Sequence, residues 1–354
     1  MFPIKYKKPI SILVAILIVF ALIVSISGCN SSSGKVPADT DKEVTGSSEK
    51  TNNETVGTAG QTKTTSAAEA EKVNLYDLKL VDGKLAIWFF SLTGEDHVGE
   101  SILIRTPKGK TILVDSGTAE GGVQVLDYLQ KLEIETIDYC IATHMHIDHI
   151  GGFPSIINKL EVKEVYTSTF TEYDTSPVRN FFTALKQKNI EYKEAIAGME
   201  IKIDEDVTIS FLYPFEDTIP DDLSNVVIDG TFINDSSVVF RLTYGENSFL
   251  FTGDITMMSD MKLVDKYGDG LKSDVIKVPH HGSEDASSEV FVKTVDADYS
   301  VMCIYAFNSL DIYNRYKKYG YRPYVTSLDG TVLSISDGTN IDFITEKERK
   351  GMLK

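Results

Sequence analysis

The chain has 354 residues, 42% of them apolar and 25% charged, enough for one large domain or two small ones with a sizeable core. Its formal charge is −17, and because residues 1–72 are nearly balanced the acidity belongs to residues 73–354. An acidic domain gets no general electrostatic help in holding nucleic acid, and no Lys/Arg block marks a local basic groove.

The N-terminus, "MFPIKYKKPISILVAILIVFALIVSISGCNSSSG", reads as an export signal. Lys5, Lys7 and Lys8 form a basic start, an apolar run reaches about Ile26, and small residues come after it. "ISGC" at 26–29 resembles a bacterial lipobox, so residues 1–29 are expected to be a lipoprotein signal with Cys29 lipidated. An uncleaved signal anchor is the alternative, since the run nearly suffices to span a bilayer. Either way the rest of the chain is expected outside the cytoplasmic membrane, anchored to its outer face. Residues 30–72 are Ser, Thr, Gly and charge without apolar periodicity, a composition that cannot offset its ordering entropy. They read as a flexible tether with a reach of roughly 35 Å as a random coil.

Residues 73–354 carry the predicted elements. "LAIWFFSL", "ESILIRTP", "KTILVDSG", "IDYCIATH", "KEVYTST", "VTISFLYP", "SSVVFRLTY", "NSFLFTGD", "SDVIKVPHH", "SVMCIYAF" and "GTVLSISDG" read as strands. "GGVQVLDYLQKL", "SPVRNFFTALKQKN" and "MMSDMKLVDKYG" have helical apolar spacing. This mixture fits two packed sheets covered by helices. Cys140 and Cys303 lie in apolar strand runs, where buried free thiols are expected.

"IATHMHIDHIGG" at 141–152 holds His144, His146, Asp148 and His149, three of the six histidines in the chain. Imidazole and carboxylate suit zinc, and manganese or iron when oxygen ligands are added. The H-x-H pair can grip one ion and the following D-H pair a second, with a carboxylate such as Asp254 between them. Asp115, this cluster, Asp254 and His280/His281 each come directly after an apolar strand, so they can meet on one rim of a layered fold.

"HMHIDHIGG" is similar to the H-x-H-x-D-H signature of the metallo-β-lactamase superfamily, and "LVDSG" at 113–117 and "LFTGDI" at 250–255 resemble its first and fourth motifs. "NDSSVVFRL", "IKVPHHGS" and "TSLDGTVLSISDG" resemble the branch holding the hydrolase domain of ComEC-type DNA-uptake proteins and phosphorylcholine esterases. The resemblance implies an α/β fold, the αββα four-layer sandwich, and two divalent ions, zinc first and manganese as the alternative. It implies His144 and His146 on metal A, Asp148, His149 and His281 on metal B, and Asp254 bridging. His280 would contact substrate or protonate a leaving group, unless the two histidines exchange roles. Asp115 would orient a ligand histidine from behind.

The sequence departs from that pattern in three places. The metal A histidine before "LFTGD" is missing; Asn234 or Asp235 is expected to supply an oxygen, the alternative being a vacant position and a weaker metal A. "SLTGEDHVGES" stands where the branch has Gly-Gln-Gly-Asp, and its His97 reads as a surface residue, with lining of the cleft as the alternative. "AFNSLDIYNRY" keeps Asn308 but lacks the branch's following histidine. The expected function is an exported, membrane-tethered hydrolase that attacks a phosphoester, of nucleic acid or of the cell envelope, with a metal-bound hydroxide. A β-lactam or other carboxyl-derivative hydrolase is the alternative within the fold, and a non-catalytic metal- or solute-binding lipoprotein the alternative outside it. No obligate protein partner is predicted.

Overall fold

The structure is a computed structural model that describes residues 73–349 apart from 95–96, 172, 219, 221–225 and 308–309. The export segment with Cys29, the linker and Asn308 lie outside the described residues. The first part of the chain gives β1 (Leu85–Phe89), β2 (Ile102–Arg105), β3 (Thr111–Val114), α1 (Ala119–Lys131), β4 (Thr136–Ala142) and α2 (Ile147–Ile150). After these come α3 (Phe153–Lys159), β5 (Glu161–Thr167), α4 (Ser176–Lys188), β6 (Tyr192–Glu194), β7 (Glu200–Lys202) and β8 (Val207–Tyr213). Next are α5 (Gly230–Asn234), β9 (Val239–Tyr244), β10 (Asn247–Phe251), α6 (Met257–Tyr267), β11 (Val275–Lys277) and α7 (Glu289–Val295). The last are β12 (Tyr299–Met302), α8 (Asp311–Lys318), β13 (Arg322–Val325), α9 (Thr326–Asp329), β14 (Val332–Ser336) and β15 (Ile341–Thr345).

The strands form two mixed sheets, β15-β14-β1-β2-β3-β4-β5-β6 and β13-β12-β11-β10-β9-β8-β7. Alternation along the strands explains the layering. Leu85, Ile87 and Phe89 of β1 join Ile102, Ile104, Phe240 and Phe251 in a core between the sheets. Ala86 and Trp88 point the other way, into a core with Val125, Leu129, Phe153 and Phe181 from the helices on that face. A third core joins the outer face of the second sheet to Leu263, Phe291, Val292, Ile312 and Tyr316. Strands buried on both faces read as the continuous apolar runs seen in the sequence. Between the sheets, Phe240 stacks on Phe251 at 4.6 Å between ring centroids. Burying each such ring stabilises the fold by about 1.5–3 kcal/mol.

Cys140 and Cys303 are buried free thiols, as expected. β3 and β4 run parallel, as do β10 and β11, so the turns leaving these strands emerge at their C-terminal ends. Those four turns carry Asp115, His144–His149, Asp254 and His280–His281.

Candidate metal centre

The turn after β4 is pinned from behind. Asp115, in the left-handed region at φ 56°, accepts from the Thr143 backbone N–H at 2.8 Å and from the Thr143 hydroxyl at 2.7 Å. The same carboxylate lies 2.8 Å from His149 Nδ1, and Thr143 Oγ1 lies 3.0 Å from His144 Nδ1. Because the hydroxyl donates its proton to Asp115, it accepts from His144. Both rings therefore carry hydrogen on Nδ1 and turn Nε2 inward, where it can bind a metal once deprotonated. Gly152 lets the turn close: a Cβ there would stand 2.2 Å from Ser116 O.

Four donor atoms meet on one side. His149 Nε2 lies 3.3 Å from His281 Nε2, 3.1 Å from Asp254 Oδ2 and 3.6 Å from Asp148 Oδ2. His281 Nε2 lies 3.1 Å from Asp254 Oδ2 and 3.4 Å from Asp148 Oδ2. A tetrahedral ion with ligands at 2.0–2.2 Å separates them by about 3.3–3.6 Å. His281 Nδ1 donates to Cys303 O at 2.8 Å, which turns its Nε2 lone pair toward that of His149. Two facing lone pairs repel unless a cation or proton lies between them, so this donor set fits a metal ion.

The other side is smaller. His144 Nε2 lies 3.0 Å from His146 Nδ1 and 3.9 Å from Asp254 Oδ2, so Asp254 Oδ2 faces both sides. Asn234, at the end of α5, borders His146, and its Oδ1 is buried without a hydrogen-bond partner among the described residues. A buried carbonyl oxygen bordering His146 also fits a cation. Asp235 is not part of the group: its carboxylate accepts from Thr256 N and Oγ1, each at 3.0 Å. It braces the start of α6, and of the two oxygens expected to replace the missing histidine only that of Asn234 stands here.

His280 and His281 both sit in the left-handed region, at φ 47° and 52°. Such backbone costs about 1–3 kcal/mol per residue and persists where the surroundings over-determine it. The turn sends the two rings to different partners. His280 Nδ1 lies 2.9 Å from Asp285 Oδ1 and its Nε2 3.2 Å from Asn234 Nδ2, so it accepts from Asn234 and donates to Asp285.

Two buried charged residues escaped the sequence reading. Lys277, at the end of β11, places Nζ 2.8 Å from Glu100 Oε2, 3.2 Å from Asp254 Oδ1 and 2.8 Å from Gly253 O. It thereby fixes one oxygen of Asp254 and leaves the other facing the histidines. Glu100 Oε2 is also 3.3 Å from His281 Nδ1. A lysine inside an apolar strand run was the available signal. His97 is exposed, as expected of a surface residue, and also meets the alternative, its Nε2 lying 2.6 Å from Asp148 Oδ2. It lines the cleft, so all six histidines stand at the centre.

Electrostatics divides the histidines. Burial opposes a charge on His149, but Asp254, Asp148 and Asp115 outweigh it and hold the ring well above its ordinary range. Burial is likewise outweighed at His281, by Asp254 above all, with Asp148 and Glu100 adding to it. Burial and the neighbouring His149 charge push His144 well down and lower His146. Asp254 is held well below the carboxylate range, its burial overcome by His149, His281 and Lys277.

The sequence profile of the Metallo-beta-lactamase superfamily matches residues 94–306. The competence protein ComA of Neisseria gonorrhoeae is 27% identical over 240 residues, 66% of this chain and 30% of ComA. The endoribonuclease ysh1 of Emericella nidulans is 31% identical over 97 residues, 27% of this chain and 11% of that protein. The chain thus matches less than a third of the length of either relative. Among solved structures, CmlA, a diiron β-hydroxylase from Streptomyces venezuelae, is 14% identical with a TM-score of 0.43, covering 68% of this chain and 52% of CmlA. The profile match, spanning His97, the turn after β4 and the His280–His281 segment, shows that the chain belongs to the metallo-β-lactamase superfamily.

Proposed function

We propose that this superfamily hydrolase is an exported, membrane-tethered phosphodiesterase acting on a phosphodiester of nucleic acid or of the cell envelope. The observation that carries the reading is the convergence of two donor sets on Asp254 Oδ2, 3.1 Å from His149 and His281 and 3.9 Å from His144. His144 and His146, with Asn234 Oδ1, would hold one ion. Asp148, His149 and His281 would hold the other, with Asp254 facing both. When bound, two such ions supply Lewis acidity to phosphoryl oxygens and activate water near neutral pH.

The chain's own residues do the rest. Asp115 fixes the tautomers of His144 and His149, and Lys277 keeps Asp254 from rotating. His280, oriented by Asn234 Nδ2 at 3.2 Å and Asp285 Oδ1 at 2.9 Å, stands on the first ion's side as the group that would exchange a proton with a departing alkoxide. Zinc suits the imidazole-rich set, and the Asn234 oxygen makes manganese acceptable on the smaller side. The endoribonuclease name of one relative supports phosphodiester chemistry. The net acidity favours a short or envelope-borne substrate over long nucleic acid. A missing third histidine on the smaller side weighs against β-lactam hydrolysis.

The test loads the purified full-length chain in turn with zinc and manganese and offers a chromogenic phosphodiester, a phosphomonoester and a β-lactam. Diester turnover, lost in His146→Ala and Asp254→Ala, is expected. Turnover of the β-lactam alone would overturn the phosphodiesterase reading, and stoichiometric metal with no turnover would favour a binding protein.

A further inference from the structure

We propose that His97 is a working part of the metal centre, a positioning residue that holds Asp148 and so secures the ion on the His149/His281 side. The proposal rests on the metal centre assigned under the proposed function. Among the described residues His97 makes the shortest polar contact to Asp148, 2.6 Å from Nε2 to Oδ2, against 3.4 Å for His281 and 3.6 Å for His149. A carboxylate on a short turn can rotate about χ2. A ring N–H donating to Oδ2 fixes that rotation from the solvent side, while His149 and His281 approach the same oxygen from within. Such outer hydrogen bonds orient metal ligands and govern how tightly the ion is kept.

The placement of His97 is built into the backbone. Gly99, at φ +85°, is pressed so close to the metal-bearing turn that a Cβ would stand 1.8 Å from Asp148 O. Only glycine fits there. Glu100 N donates to Asp148 O at 3.2 Å, Thr118 N to Val98 O at 2.9 Å, and Gly117 N to Glu100 O at 2.9 Å. The segment 97–100 is therefore tied to the turns after both β3 and β4. The His97 ring in turn meets His281 edge-on at 4.9 Å between centroids and leans on Tyr305 at 5.3 Å. With its side chain 39% exposed against 15% for Asp148, His97 stands between that ligand and water.

The experiment strips the full-length protein with a chelator and titrates zinc by calorimetry and by competition with a chromogenic chelator. Wild type, His97→Ala and His97→Gln are compared, together with thermal unfolding of each metal-free form. The expected result for His97→Ala is unchanged metal-free unfolding and one of the two zinc ions weakened by about 10–100-fold, the usual effect of removing such a partner. His97→Gln, whose amide keeps a donor, should recover part of that loss. Wild-type zinc affinities in His97→Ala would overturn the proposal. So would a loss of affinity matched by an equal loss of metal-free stability, which would make the residue merely structural. Failure of the wild type to bind zinc would sink the metal centre itself, and is thereby distinguishable.

Discussion

The two sides of the metal centre share one turn and one carboxylate, yet they are held very differently. On the His149/His281 side nearly every donor has a partner behind it: Asp115 behind His149, Cys303 O behind His281, Lys277 behind Asp254 and His97 beside Asp148. On the His144/His146 side, two rings and the orphaned Asn234 oxygen are braced chiefly through Thr143. The first side is also charged and acidic, the second neutral. Affinity depends on how well ligands are pre-positioned as much as on their identity. If the proposed ions bind, one side would retain its ion and the other exchange it.

The strongest way to break this asymmetry is to remove the buried cation beneath it. Lys277→Met takes the buried cation away from Glu100 and Asp254, leaving only the histidines to balance them, and should destabilise the fold by about 3–5 kcal/mol. Urea denaturation measures this, and Lys277→Met/Glu100→Gln should regain much of the loss. Acidity sharpens the comparison next. At pH 7 the metal-free His149 and His281 hold protons that zinc must displace, so the retained ion should gain about tenfold in affinity per pH unit for each proton released. The exchangeable ion should show little change, because His144 and His146 are already neutral. Calorimetry in buffers of different ionisation enthalpy separates the two. The sign for stability is opposite. The raised pKa values of His149 and His281 stabilise the metal-free fold below about pH 6.5, and that contribution is lost as pH rises through the folded values. The smallest effect belongs to Thr143→Val, which removes the hydroxyl that braces His144 and also donates to Asp115. It should weaken the ion on the His144/His146 side by about tenfold and the other less, because Asp115 keeps its bond to His149.

Most of this architecture was legible in the residues. Strands buried on both faces left continuous apolar runs, and each expected strand has its counterpart in a sheet. β6, β7, β13 and β15 went unread for physical reasons, β15 because Asp342 interrupts it and none of its residues is buried. β6 is exposed along its whole length and β7 is charged at both ends. β13 contains Pro323, tolerable because the strand lies at a sheet edge. In the metal centre, residues adjacent in sequence were readable as a cluster. Glu100, Lys277 and His97 were not, because each acquires its meaning from a partner dozens of residues away. Asp235 was a plausible ligand by position alone, until its bonds to Thr256 show it committed to a helix start.

The pairing of β14 with β1, residue 85 against 336, has a consequence for how this protein comes into being. All six histidines lie between positions 97 and 281, so every one has been synthesised long before β14 exists. Until residues 332–345 arrive, β1 has a bare edge on one side and the first sheet stays open. Pairings this distant along the chain close slowly. An unpaired apolar strand is a template for another chain, so the interval between synthesis of the metal ligands and arrival of β14 is when this protein is most exposed to strand-edge association.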